Sequence, residues 1–230
     1  MQCPGQDSRY WDGEAVFESR CPKCSAVVEF FKDDSKRRCR QCGHEALNPR
    51  IDFGCASYCP FAEQCLGSLS PEMLAQKQDL LIERVALAIK RQHGEDFQKI
   101  GQASRAARYA ETLAKAEEAN KAAVVLAAYL AEIDGQPDNL SRRDTAKAKM
   151  ILVELKANED LTTEVCALIA RLGQPPGSEA TNNARVLHDA WLLARITQLV
   201  KDQTMISQAR ELANTMATAN GRQEAAKLLA

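Results

Sequence analysis

The chain has 230 residues, with 30 basic and 31 acidic side chains and a formal net charge of −1. That length suits one medium domain with a small module attached. Residues 1–66 hold nine basic and ten acidic side chains and the remainder 21 of each, so neither part has the positive excess that marks phosphate-backbone binding, and nucleic acid is not an expected partner.

No apolar run reaches the roughly 18 residues that a membrane span needs, so no membrane insertion is expected. The opening "MQCPGQDSRYWDGE" lacks a basic stretch followed by an apolar one, which removes the expectation of a secretory signal. The expected location is the cytoplasm, where clustered cysteines are metal ligands more often than disulfides. Eight of the nine cysteines precede residue 66, and after "LGSLSPE" the composition turns to Ala, Leu, Glu and Lys. The sequence thus predicts a Cys-rich metal-binding module over 1–66 and an all-α domain over 67–230.

Within the module, Cys21-x2-Cys24-x14-Cys39-x2-Cys42 is the spacing of two thiolate knuckles around a tetrahedral zinc ion, and it resembles a zinc ribbon. "VVEFF" reads as a strand and "KDDSK" as a turn, so the knuckles are expected at the ends of one hairpin. Four thiolates close the ion to substrate, which makes the site structural. His44 lies close enough in sequence to replace a ligand. Lys32, Lys36, Arg37, Arg38 and Arg40 are diluted by Glu29, Asp33 and Asp34 and read as a solvated face.

Four N-terminal cysteines remain: Cys3, Cys55, Cys59 and Cys65. Four is the number that a [4Fe–4S] cluster or a second zinc requires, and unmetallated thiols are the third reading. The x3 and x5 spacing of the last three is not that of a zinc knuckle. Pro4 and Pro60 follow cysteines, and Phe53, Tyr58 and Phe61 would shield a cluster or form a small core.

From Ser70-Pro71-Glu72, an N-cap with proline at the first helical position, the pattern is helical. Helices are expected to about Gly94, over 95–119, over the all-round apolar 121–133, and over 141–157, 160–172, 179–199, 203–218 and 221–229, packed as a bundle. The last of these pack on the bundle or on a partner. Cys166 reads as a buried helix residue.

"IGQASRAARYAETLAKAEEANKAAVVLAAYLAEIDG", "EVCALIARL" and "ARVLHDAWLLARI" resemble the HD-domain phosphohydrolases over residues 80–200. The resemblance implies an HD-like helical bundle in which an early His, a central His-Asp pair and a late Asp hold divalent metal that activates water. Those places fall at Gln102, at Ala131 and Glu132, and at Trp191, and "CALIARLGQP" lacks the histidines that some members carry there. The only histidines in the helical part are His93 and His188, so no shift of register rebuilds the site. His188-Asp189 spells the pair on the wrong helix and reads as a partly exposed pair with a local hydrogen bond. Glu132, Asp134 and Asp189 remain as carboxylates for a cation, while Tyr129 and Trp191 fill the space. No phosphate loop or other catalytic motif is present, and Cys166 has no neighbouring histidine.

The expected function is therefore a non-catalytic adaptor or regulatory protein with a protein partner, an accessory subunit of a larger redox assembly. The alternatives are a sensor of a nucleotide or other small phosphorylated ligand and a residual metal-dependent phosphohydrolase.

Overall fold

Short alternating segments start the strand region because each buries one face only. The computed structural model describes residues 16–31, 34, 36–49, 71–133 and 145–229. Val16–Arg20 forms β1 and Val27–Phe31 forms β2, paired antiparallel with Phe17 opposite Phe30. Phe17, Val28 and Phe30 are buried, while Val16, Val27, Glu29 and Phe31 face outward. The Phe17 and Phe30 rings stack with centroids 5.7 Å apart. Lys36–Arg38 (β3) and Glu45–Leu47 (β4) make a second antiparallel pair.

The expected single hairpin is corrected here. The strands form two separate two-stranded sheets, and each CxxC pair is the turn of its own sheet. The cause lies in the knuckles. Cys21 N–H donates to the Ala26 carbonyl at 2.8 Å and Ser25 N–H to the Cys21 carbonyl at 2.9 Å. Cys39 N–H donates to the His44 carbonyl at 2.8 Å and Gly43 N–H to the Cys39 carbonyl at 2.9 Å. The chain therefore reverses at the cysteines themselves. Buried Asn48 ties the end of β4 back, donating to the carbonyls of Phe31 at 3.2 Å and Asp34 at 2.9 Å.

Eight α-helices follow among the described residues: α1 (Pro71–His93), α2 (Phe97–Ala116), α3 (Lys121–Leu130), α4 (Ala146–Glu154), α5 (Glu159–Arg171), α6 (Asn182–Leu199), α7 (Ile206–Asn214) and α8 (Ala219–Leu229). The fold is mainly α, with a small β region preceding the helical bundle, as the sequence predicts. The chain divides into two compact units, Met1–Lys77 and Gln78–Ala230.

In the second unit α3 is the central helix, buried from Ala122 to Ala128 and again at Leu130. It is apolar all round because α2, α5 and α6 all pack on it. The face of α2 that enters the core is built of alanines, Ala103, Ala106, Ala107 and Ala110, with Leu113. Small side chains at helical spacing let the neighbouring backbones approach closely. Phe97, in contrast, is exposed at the first turn of α2. Caps fix several starts: Asp96 accepts from Lys99 N–H, Asn120 from Ala123 N–H and Thr181 from Ala184 N–H. Helix α6 packs against α2, α3, α7 and α8, so its side chains decide how the end of the chain docks.

Candidate functional site

The two knuckles bring Cys21, Cys24, Cys39 and Cys42 together, with all four sulfurs within 4.8 Å of one another. Cys21 Sγ lies 3.7 Å from Cys42 Sγ, and Cys24 Sγ 3.6 Å from Cys39 Sγ. A tetrahedron of thiolates at about 2.3 Å from an ion places its sulfurs about 3.8 Å apart, so the cluster fits a metal ion. Backbone N–H groups of Cys42 and Gln41 draw the Cys39 thiol down to about 7. The Ala26 N–H favours the charged form of Cys24, but hydrogen bonds shared with Cys42 and Cys39 push that thiol up to about 12. Four thiolates in one place repel one another, and a dication offsets that repulsion.

His44 is not among the four ligands; its part in the knuckle is the carbonyl that accepts from Cys39. Cys3, Cys55, Cys59 and Cys65, with Phe53, Tyr58 and Phe61, lie outside the described residues. So do Lys32 and Asp33 of the basic hairpin. Of the rest, Lys36 pairs with Glu45 at 3.1 Å, and Arg37 pairs with Asp34 and lies 4.8 Å over the Phe31 ring.

The residue after each second cysteine has a left-handed backbone, Ser25 at φ 59° and Gly43 at φ 70°. A side chain at such a position costs about 1–2 kcal/mol. Ser25→Gly is expected to be neutral or stabilising, and Gly43→Val to weaken metal retention. Competition with a chromophoric chelator reads both; equal retention in wild type and Gly43→Val would contradict the strain argument.

The helical unit shows what became of the positions laid onto the phosphohydrolase pattern. Gln102 is half-buried on α2, and Ala131 ends α3. Glu132 and Trp191 are both buried, and Trp191 Nε1 donates to Glu132 Oε1 at 2.9 Å. The Arg195 guanidinium lies 4.8 Å over the indole ring. Tyr129 is half-buried against the same core. Trp191→Phe removes the donor and leaves a buried carboxylate unpaired, which is expected to cost about 1–3 kcal/mol. Adding Glu132→Leu should recover part of that loss in urea unfolding, because the unpaired charge goes with it.

The expectation of a partly exposed His188-Asp189 pair is overturned. Both residues are buried, at 6% and 0% exposure. Asp189 does not bond to His188. It accepts from Ala217 N–H at 2.8 Å, from Thr218 N–H at 2.8 Å and from the Thr218 hydroxyl at 2.7 Å. The Thr218 hydroxyl in turn accepts from Gly221 N–H at 2.9 Å and caps α8. Glu132 and Asp189 are thus committed to different partners, and Asp134 lies outside the described residues. Among the described residues, the four cysteines are the only group of three or more His, Cys, Asp or Glu placed to hold a metal. Cys166 is half-buried on α5, and burial pushes its thiol up, away from the nucleophilic thiolate.

No protein-family model, curated protein or solved structure matches the chain.

Proposed function

We propose that this protein is a non-catalytic adaptor in which a zinc ribbon is joined to an HD-like bundle that has lost its hydrolytic ligands. The observation that carries this reading is the hydrogen bond between Trp191 and Glu132. The resemblance expects acidic metal ligands at both positions. They are distant in sequence yet in contact, and the indole can only donate. The other two places hold Ala131, with no ligand atom, and Gln102, with only a neutral amide. The ion proposed for Cys21, Cys24, Cys39 and Cys42 is zinc, since four thiolates in a closed tetrahedron are its structural ligand set. Cys3, Cys55, Cys59 and Cys65 are proposed as a second site, of the [4Fe–4S] type, which would suit an accessory subunit of a redox assembly.

The test assays the full chain against phosphomonoesters and nucleotides with added manganese or nickel. No turnover above the blank is expected, and turnover that falls on Glu132→Gln would overturn the reading. Metal and acid-labile sulfide analysis of protein purified without oxygen is expected to give one zinc, with about four iron and four sulfide per chain for the cluster. Two zincs and no iron would replace the cluster by a second structural zinc. Purified natively, the protein should carry a stoichiometric protein partner, and a partnerless monomer would count against the adaptor role.

A further inference from the structure

Two glutamates meet on the outward face of the first sheet. The register sets Glu18 directly opposite Glu29, with Val16 opposite Phe31 on one side and Arg20 opposite Val27 on the other. Cys21 N–H donates to the Ala26 carbonyl, so that pair is hydrogen-bonded and, by alternation along the ladder, the Glu18–Glu29 pair is not. In pairs of the second kind the side chains stand closest, and like charges there repel. Both glutamates are exposed, and neither has a hydrogen bond or ion pair among the described residues. The nearby cations are engaged elsewhere or do not reach them: Lys36 pairs with Glu45, Arg37 pairs with Asp34, and Arg20 pairs with neither glutamate.

Apolar side chains flank the two carboxylates. Val27 is 63% exposed, and Val16 and Phe31 are each 40% exposed. The solvent face of an antiparallel sheet is ordinarily polar. Here it is a strip roughly 13 Å long, at about 3.3 Å per residue, with negative charge in the middle and apolar groups at both ends. Contact at both ends would exclude water from the middle and strengthen any ion pair made there. Paired carboxylates call for a cation. They repel the phosphates of nucleic acid and of anionic lipids. A second copy docked face to face, on a two-fold axis through this centre, would bring four glutamates together.

We propose that the outward face of β1 and β2 docks an extended protein segment carrying one lysine or arginine between apolar side chains. The cation sits between Glu18 and Glu29, and the apolar groups rest on Val16, Phe31 and Val27. The proposal rests on the adaptor reading and names the chemistry of its partner. The strip is smaller than the roughly 1,000 Å² that a stable interface buries. This contact is therefore weak by itself and decides which segment docks rather than how tightly.

NMR titration of the ¹⁵N-labelled full chain tests it with the capped peptide Leu-Val-Arg-Val-Leu and its variants with Gln or Glu in place of Arg. The Arg peptide is expected to shift the amides of 16–20 and 27–31 saturably. The Gln peptide should bind about fivefold more weakly, the worth of roughly two surface ion pairs, and the Glu peptide should not saturate. The double variant Glu18→Gln, Glu29→Gln changes only exposed side chains and should bind the Arg and Gln peptides equally. Val27→Ser should weaken both alike. Three results would each overturn the proposal: no saturable shift on these strands, equal affinity of wild type for the Arg and Gln peptides, or a preference for Arg that survives in the double variant. A native protein partner that co-purifies equally with wild type and the double variant would remove this surface and leave the adaptor reading standing.

Discussion

Gly221→Ala is expected to destabilise the helical unit by about 3 kcal/mol, the upper end of the usual range for overpacking a close-packed interior. Helix propensity argues the other way, because alanine inside a helix is worth up to about 1 kcal/mol over glycine. Packing decides the sign. A Cβ on Gly221 would sit 2.2 Å from Asp189 Oδ2 and 2.8 Å from its Cγ, with Thr218 Oγ1 at 2.9 Å. No side chain can stay in place at that separation. Asp189 is fully buried on α6, and moving it breaks its bonds to Ala217 and Thr218 together. Urea unfolding followed by helical circular dichroism measures the effect. A neutral or stabilised Gly221→Ala would show that the carboxylate is not held where α8 begins.

The same contact gives a stricter form of the test. Asp189→Ala alone leaves the N–H groups of Ala217 and Thr218 without their acceptor, and is expected to be severely destabilising in its own right. Once the carboxylate is gone, however, the methyl group introduced by Gly221→Ala loses its worst clash. The double variant should therefore be less destabilised than the sum of the singles, with a coupling of about 1 kcal/mol or more. Strict additivity would mean that the two positions do not meet.

This locus also marks where sequence reasoning stops. The helical architecture is legible because its signals are local. "KAAVVLAAYL" is apolar on all sides, and the helix starts expected at 95, 121 and 179 fall within two residues of the observed caps Asp96, Asn120 and Thr181. The four-cysteine cluster is legible for the same reason, since the spacing of the two CxxC pairs is itself a local signal. The start of α8 carried a usable signal, Thr218 three residues before Gly221, although the sequence reading starts that helix only at 221. Nothing local tells that Asp189, some thirty residues upstream, completes that cap, or that His188 beside it faces a cavity. The first depends on which turn of α6 meets the segment before α8, and the second on how α6 packs against the end of α5 and the loop that joins them. Alternation likewise finds the strands but not their pairing, because the reversal sits in the knuckle hydrogen bonds rather than in the polar turn.

Metal removal is the other large effect. Stripping the zinc proposed for Cys21, Cys24, Cys39 and Cys42 is expected to unfold the strand region outright, and the reason is the size of its core. Apart from the cysteines, the buried apolar side chains there are Phe17, Val28, Phe30 and Ala46 among the described residues. Each buried side chain of the larger kind contributes about 1.5–3 kcal/mol. Ordering each residue costs roughly 1–2 kcal/mol of backbone entropy. Strands of three to five residues cannot close that gap, whereas a structural zinc supplies about 10–16 kcal/mol of binding free energy near neutral pH. Titration with a mercurial should release the metal as the thiols are consumed, and amide protection over 16–31 and 36–48 should vanish with it. Acid should do the same by protonating the thiolates. The helical unit has its own core around α3 and α6, so its circular dichroism transition is expected to stay in place. Cys39→Ser should reproduce the loss of protection without any chelator, because Cys39 is both a ligand and a buried part of that small core. Retained protection over β1 and β2 in metal-free protein would mean that the stacked Phe17 and Phe30 hold the fold unaided, and the cluster would then be a site the protein carries rather than one it needs.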